Sequence, residues 1–155
     1  MDDFGTFAAT PEIAGKFYQW NRNVAWDATG TVTDWNIDDI EGDSWAEDND
    51  PSPEGWRVPT ISLLDAEKVS NEWTTQNGVN GQLFTDIASG NTLFLPAAGR
   101  SGSSNGTLSA TGTGYYWTTY SNTTTTAICL YLSSPTATPA TVDRRTGCFV
   151  RSVAE

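Results

Sequence analysis

The chain has 155 residues, 37% of them hydrophobic, and a net charge of −11 from 19 acidic and 8 basic residues. This length favours a single domain over residues 1–155, with 1–14 as a loose lead-in. The negative charge argues against nucleic-acid partners and anionic membrane surfaces. The sequence also predicts no membrane insertion and no signal peptide in this chain. Because the sequence contains no His, histidine-based catalytic triads and His-ligated zinc are excluded.

The first part of the chain predicts a strand followed by a long acidic loop. Residues 15–20 (GKFYQW) alternate as a strand does. Residues 38–54 contain eight acids and no base, with no regular period, so we expect a surface loop anchored by Trp35 and Trp45. Carboxylates in a loop are ligands that Ca²⁺ takes, and a Ca²⁺ ion there is an open alternative. No calcium motif is present, so we expect a solvated acidic face and no metal or other cofactor.

A helix is predicted over residues 61–71. Pro59 holds the preceding residue extended, and Thr60 can cap the helix that follows. Its apolar face would consist of Leu63, Ala66, Val69 and Trp73.

The middle of the chain predicts a hairpin. Residues 77–81 (NGVNG) are a turn cluster, and residues 82–87 and 92–96 are the expected strands around a turn at 88–91. Residues 97–114 are rich in Gly, Ser and Thr and predict a mobile loop.

The last part of the chain predicts four strands, at residues 114–119, 126–133, about 138–144, and 148–153. One or two helices followed by antiparallel strands indicate an α+β fold rather than a βαβ fold.

An unusual alphabet marks residues 118–154. This run of 37 residues contains no Lys, Glu, Gln, Met or Trp, whereas the preceding 117 residues contain 19 of them. These are the five residue types that a codon ending in a pyrimidine does not encode. Asn codons randomised at both adenines would produce this alphabet, but a Thr-rich set of strands would also be poor in helix formers.

Five ordered motifs carry a family resemblance: GKFYQW (15–20), PEGWRVPT (53–60), FLPAAGR (94–100), YWT (116–118) and GCFVR (147–151). The chain resembles the FISUMP-type major paralogous domains of gut and rumen bacteria. The resemblance implies a C-type-lectin-like fold, with about two helices, two small antiparallel sheets and long irregular loops. Ser52 and Ser152 stand where the family usually has a cysteine pair, which fits folding in a reducing compartment.

A subset of such domains are variable proteins of diversity-generating retroelements, in which a C-terminal segment is mutated at adenines. The resemblance therefore implies that residues 115–153 are a variable ligand-binding segment. Leu130, Leu132, Gly147, Val150 and Arg151 are the expected scaffold. The expected ligand-binding positions are Tyr116, Tyr120, Asn122, Cys129, Tyr131, Ser133, Ser134, Thr136, Thr138, Thr141, Asp143, Arg144 and Thr146.

Other residues that attract a functional interpretation have a structural alternative. Trp20, Trp56, Trp73 and Trp117 are of a kind that stacks on sugars, but core packing is the expected role. Structural contacts are expected for Arg57 and Arg151, whereas Arg100 is open to ligand contact. Cys129 and Cys148 are compatible with a disulfide, but we expect free thiols.

The leading hypothesis is a non-enzymatic module that binds a protein or glycan receptor through a diversified surface. The resemblance places such a module on a phage tail fibre or a bacterial cell surface, where oligomers are compatible with a fibre. The alternative is an undiversified carbohydrate-binding adhesin that uses Trp35 or Trp45. An enzyme of the formylglycine-generating type is disfavoured, because Cys129 and Cys148 lie in no matching motif.

Overall fold

The computed structural model describes residues 1–28, 32–61 and 67–155. The protein is nearly all β, with 41% strand and 3% helical residues, and these ranges contain no helix of seven or more residues. A 3₁₀ turn spans Glu47–Asn49. The prediction of an α+β, C-type-lectin-like fold with about two helices is therefore wrong.

The described ranges contain ten strands in four small antiparallel sheets. Two sheets have two strands each: β1 (Trp56–Arg57) with β10 (Val153–Ala154), and β5 (Arg100–Ser101) with β6 (Leu108–Ser109). The other two have three strands each: β2 (Val69–Gln76), β3 (Val79–Asp86) and β4 (Thr92–Pro96), then β7 (Gly114–Ser121), β8 (Thr126–Ser133) and β9 (Thr136–Asp143).

The predicted helix over residues 61–71 is contradicted at its C-terminal end. Leu63 and Ala66 lie outside the described ranges, whereas Val69 and Trp73 lie in strand β2. Residues four apart share a face in a strand as well as in a helix, because side chains alternate with a period of two. The spacing that predicted a helical face is therefore equally compatible with the strand that forms.

The turn after β2 explains why this segment is extended. Asn77 and Gly78 have positive φ angles of 48° and 81°. A pair of positive φ angles is what a two-residue type I′ hairpin requires, and Asn-Gly is its preferred sequence. The hairpin predicted from residues 82–87 and 92–96 is confirmed by β3 and β4, so three strands form one continuous sheet.

The C-terminal strands agree with the sequence except at the end. The strands predicted at residues 114–119 and 126–133 are confirmed by β7 and β8, and β9 begins slightly earlier than expected. The strand predicted over residues 148–153 is wrong for most of its length. There Cys148 forms an isolated β-bridge with Tyr18 and Phe149 forms another with Tyr116, and regular strand pairing begins only at β10.

Two apolar clusters lie on opposite faces of the β7–β8–β9 sheet. Cys129 of β8 belongs to the first cluster and Leu130 to the second, because successive strand residues point to opposite faces. The first cluster contains Tyr18, Trp20, Trp45, Trp117 and Cys148. The second contains Phe17, Phe84, Leu95, Tyr116, Leu132 and Phe149.

Two buried tryptophans connect the N-terminal segment to β7 through reciprocal hydrogen bonds. The Trp20 indole N–H donates to the carbonyl of Thr118 at 3.1 Å, and the Trp117 indole N–H donates to the carbonyl of Tyr18 at 2.7 Å. Both rings are fully buried. Each indole thus has a main-chain partner inside the core, and the Tyr18 carbonyl also accepts the Cys148 amide at 3.0 Å.

Trp117→Phe should lower the free energy of unfolding by about 2–4 kcal/mol, because it leaves a void and removes one of the two donors to the Tyr18 carbonyl. Urea denaturation followed by circular dichroism measures the change. Trp56→Phe is the matched control, since that ring is 40% exposed, and should cost less than about 1 kcal/mol. Equal losses in the two variants would contradict the role assigned to the buried indole.

Ser52 and Ser152, the two serines noted in the sequence, meet in space. The Ser52 and Ser152 hydroxyl oxygens lie 2.6 Å apart, although the residues are 100 positions apart in the chain. They lie beside the small sheet formed by β1 and β10. The contact between the two hydroxyls therefore joins the segment before β1 to the segment before β10.

The double substitution Ser52→Cys with Ser152→Cys should form a disulfide on oxidation. Closing a loop of about 100 residues stabilises by up to roughly 4–5 kcal/mol in the chain-entropy description. Urea denaturation with and without reductant measures the gain, with Ser152→Cys alone as control. Four titratable thiols in the oxidised, unfolded double variant, instead of two, would show that the pairing fails.

Candidate functional site

The predicted ligand-binding positions fall into two groups by exposure. Nine carry exposed or half-exposed side chains: Tyr120, Asn122, Tyr131, Ser133, Ser134, Thr136, Thr138, Thr141 and Asp143. Four are buried: Tyr116, Cys129, Arg144 and Thr146. The buried group is therefore not on the surface where the sequence interpretation placed it.

Tyr116 and Cys129 belong to the core because β8 and its neighbour β7 are covered on both faces at mid-length. The Tyr116 hydroxyl donates to the carbonyl of Pro96 at 2.7 Å, and burial raises the pKa of this phenol. Cys129 and Cys148 are both buried free thiols. Burial, reinforced by contact with Cys129, raises the pKa of Cys148, so this thiol stays protonated.

Arg144 is buried, and its guanidinium donates hydrogen bonds to two loops. Its guanidinium carbon lies 4.3 Å from the centroid of the Trp20 ring. One Nη donates to the carbonyl of Ile40 at 2.8 Å and the other to the carbonyl of Thr123 at 2.5 Å. Arg144 thus positions the loops on either side of an open cleft of about 500 Å³, at the end of the sheet where Asn122 lies.

Asp143 makes a structural ion pair, although the sequence interpretation combined it with Arg144 on a ligand surface. Arg145 donates to both carboxylate oxygens of Asp143, at 3.0 and 2.7 Å. These hydrogen bonds lower the pKa of Asp143. The Thr146 amide donates to the Asp143 carbonyl at 2.9 Å, which completes a tight turn at the end of β9.

A continuous face remains at the open end of the β7–β8–β9 sheet, and we call it the tyrosine face. Tyr115, Tyr131 and Thr138 are cross-strand neighbours in one row of the sheet. Ser133 and Thr136 form the next row outward, with hydroxyl oxygens 3.0 Å apart. Arg100 completes the tyrosine face, with its guanidinium 4.9 Å from the Tyr115 ring centroid.

The two tyrosine rings support each other. Their centroids are 5.0 Å apart, with the ring planes inclined at 53°. Burial raises the pKa of Tyr115, and the Arg100 charge opposes this shift. The Tyr115 phenol is therefore neutral at physiological pH and available as both donor and acceptor.

Four of the exposed positions lie away from the tyrosine face, and a fifth, Ser134, lies in the turn between β8 and β9. Tyr120, 47% exposed, forms a bridge with Ser44, and Asn122 follows in the turn between β7 and β8. Thr141 and Asp143 are paired with residues of β8 whose side chains point to the opposite face from Tyr131. The predicted positions thus do not form one surface, and the tyrosine face is the largest group that the sheet brings together.

The sequence interpretation did not identify two residues of the tyrosine face, Tyr115 and Arg100, as ligand contacts. Tyr115 was placed in the predicted strand at residues 114–119 and in the variable segment, but it was not named as a ligand contact. Arg100 was left open between ligand contact and a structural role. In β7, Tyr115 is two residues before Trp117 and shares its face of the sheet. Alternation counted back from Trp117 is the signal that would have found Tyr115.

The expected scaffold positions are buried, with one exception. Leu130, Leu132, Gly147 and Val150 lie in the interior, whereas Arg151 is half-buried and burial lowers its pKa.

The tryptophans are divided differently from the prediction. Trp20 and Trp117 are confirmed as core, and Trp73 is half-buried against the second cluster. Trp56 was also expected in the core, but it is 40% exposed.

Across the described parts of the chain, no three His, Cys, Asp or Glu side chains gather as a metal site would require. Among the same residues, no helix has the length and apolar character needed to cross a membrane. No protein-family model matches the chain, and comparison with curated proteins and with solved structures gives no significant match.

Thr138→Asn should change the free energy of unfolding by no more than about 0.5 kcal/mol, because the side chain is exposed on the edge strand. Cys129→Asn should lower it by about 3 kcal/mol or more, because it buries an amide without partners. Chemical denaturation of both variants provides the comparison. Tolerance of Cys129→Asn equal to that of Thr138→Asn would show that Cys129 is a freely variable position.

Proposed function

We propose that the chain is a non-enzymatic receptor-binding module whose tyrosine face contacts a protein or glycan receptor. In this proposal the face is diversified by a retroelement, and the module is presented on a phage tail fibre or a bacterial surface structure. The observation that carries the proposal is the meeting of two half-buried tyrosines, one arginine and several hydroxyl side chains on a single sheet face.

The composition of the tyrosine face suits a contact surface. Rigid tyrosines offer large amphipathic contact area at low entropic cost, and Ser and Thr add adaptable hydrogen bonds. Tyr131, Ser133, Thr136 and Thr138 are also residues that an Asn codon yields when only its first two bases change. The restricted alphabet and the exposed face thus coincide at these four positions.

The adhesin alternative relied on Trp35 and Trp45 as sugar platforms. Their exposed fractions are 9% and 8%, and their indole N–H groups donate to the carbonyls of Ser103 and Asn49. Both rings therefore anchor loops. The sheet face is the better supported contact surface.

The proposal requires a template repeat beside the coding sequence and a nearby reverse-transcriptase gene. The repeat should be nearly identical to the codons of residues 115–153, with Asn codons at Tyr131, Ser133, Thr136 and Thr138. Sequencing the locus checks this. A locus without such a repeat would contradict the proposal that a retroelement diversifies the tyrosine face.

The buried positions are the matched control within the same repeat. Template and coding sequence should agree at Tyr116 and Arg144, since random substitution there would disrupt the core and the two tethered loops. Adenine-linked differences concentrated at those codons, with identity across the tyrosine face, would contradict the assignment of the contact surface.

A further inference from the structure

Trp56 lies on an exposed aromatic surface that the proposed function does not use. The Phe7 ring meets the Trp56 indole edge-on, with centroids 5.0 Å apart and planes inclined at 81°. The exposed fractions are 40% for Trp56, 42% for Phe7 and 56% for Phe4. Large rings cost free energy when hydrated, so three neighbouring ones on the surface indicate a contact site.

The backbone around Trp56 is held rigidly. One carboxylate oxygen of Asp50 accepts the Ser52 amide and the other accepts the Val58 amide, each at 2.8 Å. The Trp56 amide donates to Pro53 at 3.0 Å, and the residue pairs with β10. The main chain that carries the indole is thus ordered before a ligand binds, which reduces the entropy lost on binding.

An open cleft of about 480 Å³ beside the indole contains hydrogen-bonding groups without partners. Among the described residues, the carboxylates of Glu47 and Glu54 make no hydrogen bond or ion pair. The Arg57 guanidinium makes one long contact, 3.4 Å, to the carbonyl of Val58. Two acceptors and one donor group therefore surround an aromatic plate and remain available to a ligand.

We propose that this Trp56 cleft binds a neutral pyranose glycan. A pyranose ring presents C–H groups on one face, which pack on an aromatic ring, and hydroxyls at its edge, which need donors and acceptors. The excess of carboxylates over guanidinium in the cleft and the net charge of −11 disfavour acidic polysaccharides. The Trp56 cleft shares no residue with the tyrosine face, so either site can fail without the other.

The probes are neutral hexasaccharides of β-glucose, β-xylose and β-mannose, titrated into the full chain with observation of the indole N–H signals by NMR. At least one probe should shift the Trp56 signal saturably, and Trp56→Ala should weaken its binding about tenfold or more. Trp56→Phe should retain part of the affinity, since it keeps an aromatic plate. Tyr131→Ala, on the tyrosine face, should leave it unchanged.

Three results would overturn the glycan site. The first is no saturable shift with any neutral probe at 10 mM, on the order of the weakest specific binding. The second is an equal loss of binding in Tyr131→Ala, which would move the ligand to the other face. The third is a concentration-dependent dimer that Trp56→Ala abolishes in light scattering, which would make the aromatic surface an interface between two copies.

Discussion

The reciprocal hydrogen bonds of Trp20 and Trp117 are the constraint on which the remaining structure depends. The Trp20 indole donates to the carbonyl of Thr118, next to Trp117, and the Trp117 indole donates to the carbonyl of Tyr18, two residues before Trp20. These two bonds fix the N-terminal segment and β7 in mutual register. Tyr18 also exchanges both main-chain hydrogen bonds with Cys148, at 2.9 and 3.0 Å. Segments that are far apart in the chain thereby pack together in the first apolar cluster, beside the β7–β8–β9 sheet.

This core also determines where a surface can form. Trp117, Cys129 and Ala140 form one row of the β7–β8–β9 sheet, and Tyr115 and Tyr131 belong to the next row on the same face. The first row is packed in the core, so the second is held in place by the same strands. In the proposed function, the side chains of the tyrosine face would therefore bind without prior ordering of their backbone.

The sequence predicted these strands well where alternation and turn chemistry agree, as in β3, β4 and β8. It failed at residues 69–71, the end of the predicted helix, because the spacing of Val69 and Trp73 suits a strand and a helix alike. It also failed to separate buried from exposed positions among the proposed ligand contacts. Alternation shows which residues share a face, but the burial of Arg144 depends on carbonyls more than 100 residues and about 20 residues away, at Ile40 and Thr123.

Thr136 and Thr138 of the tyrosine face lie on an edge strand of the sheet, where substitutions of the kind that the proposed function requires would leave the fold intact. β9 pairs with β8 on one side and is an edge strand of its sheet, so Thr136 and Thr138 have no second cross-strand neighbour among the residues that the structure describes. An exposed edge with changing side chains invites pairing with other chains. Pro139, in the same strand, has no amide hydrogen to donate to such a pairing. The edge strand thus carries exposed threonines that tolerate substitution, while Pro139 disfavours backbone pairing of this strand with another chain.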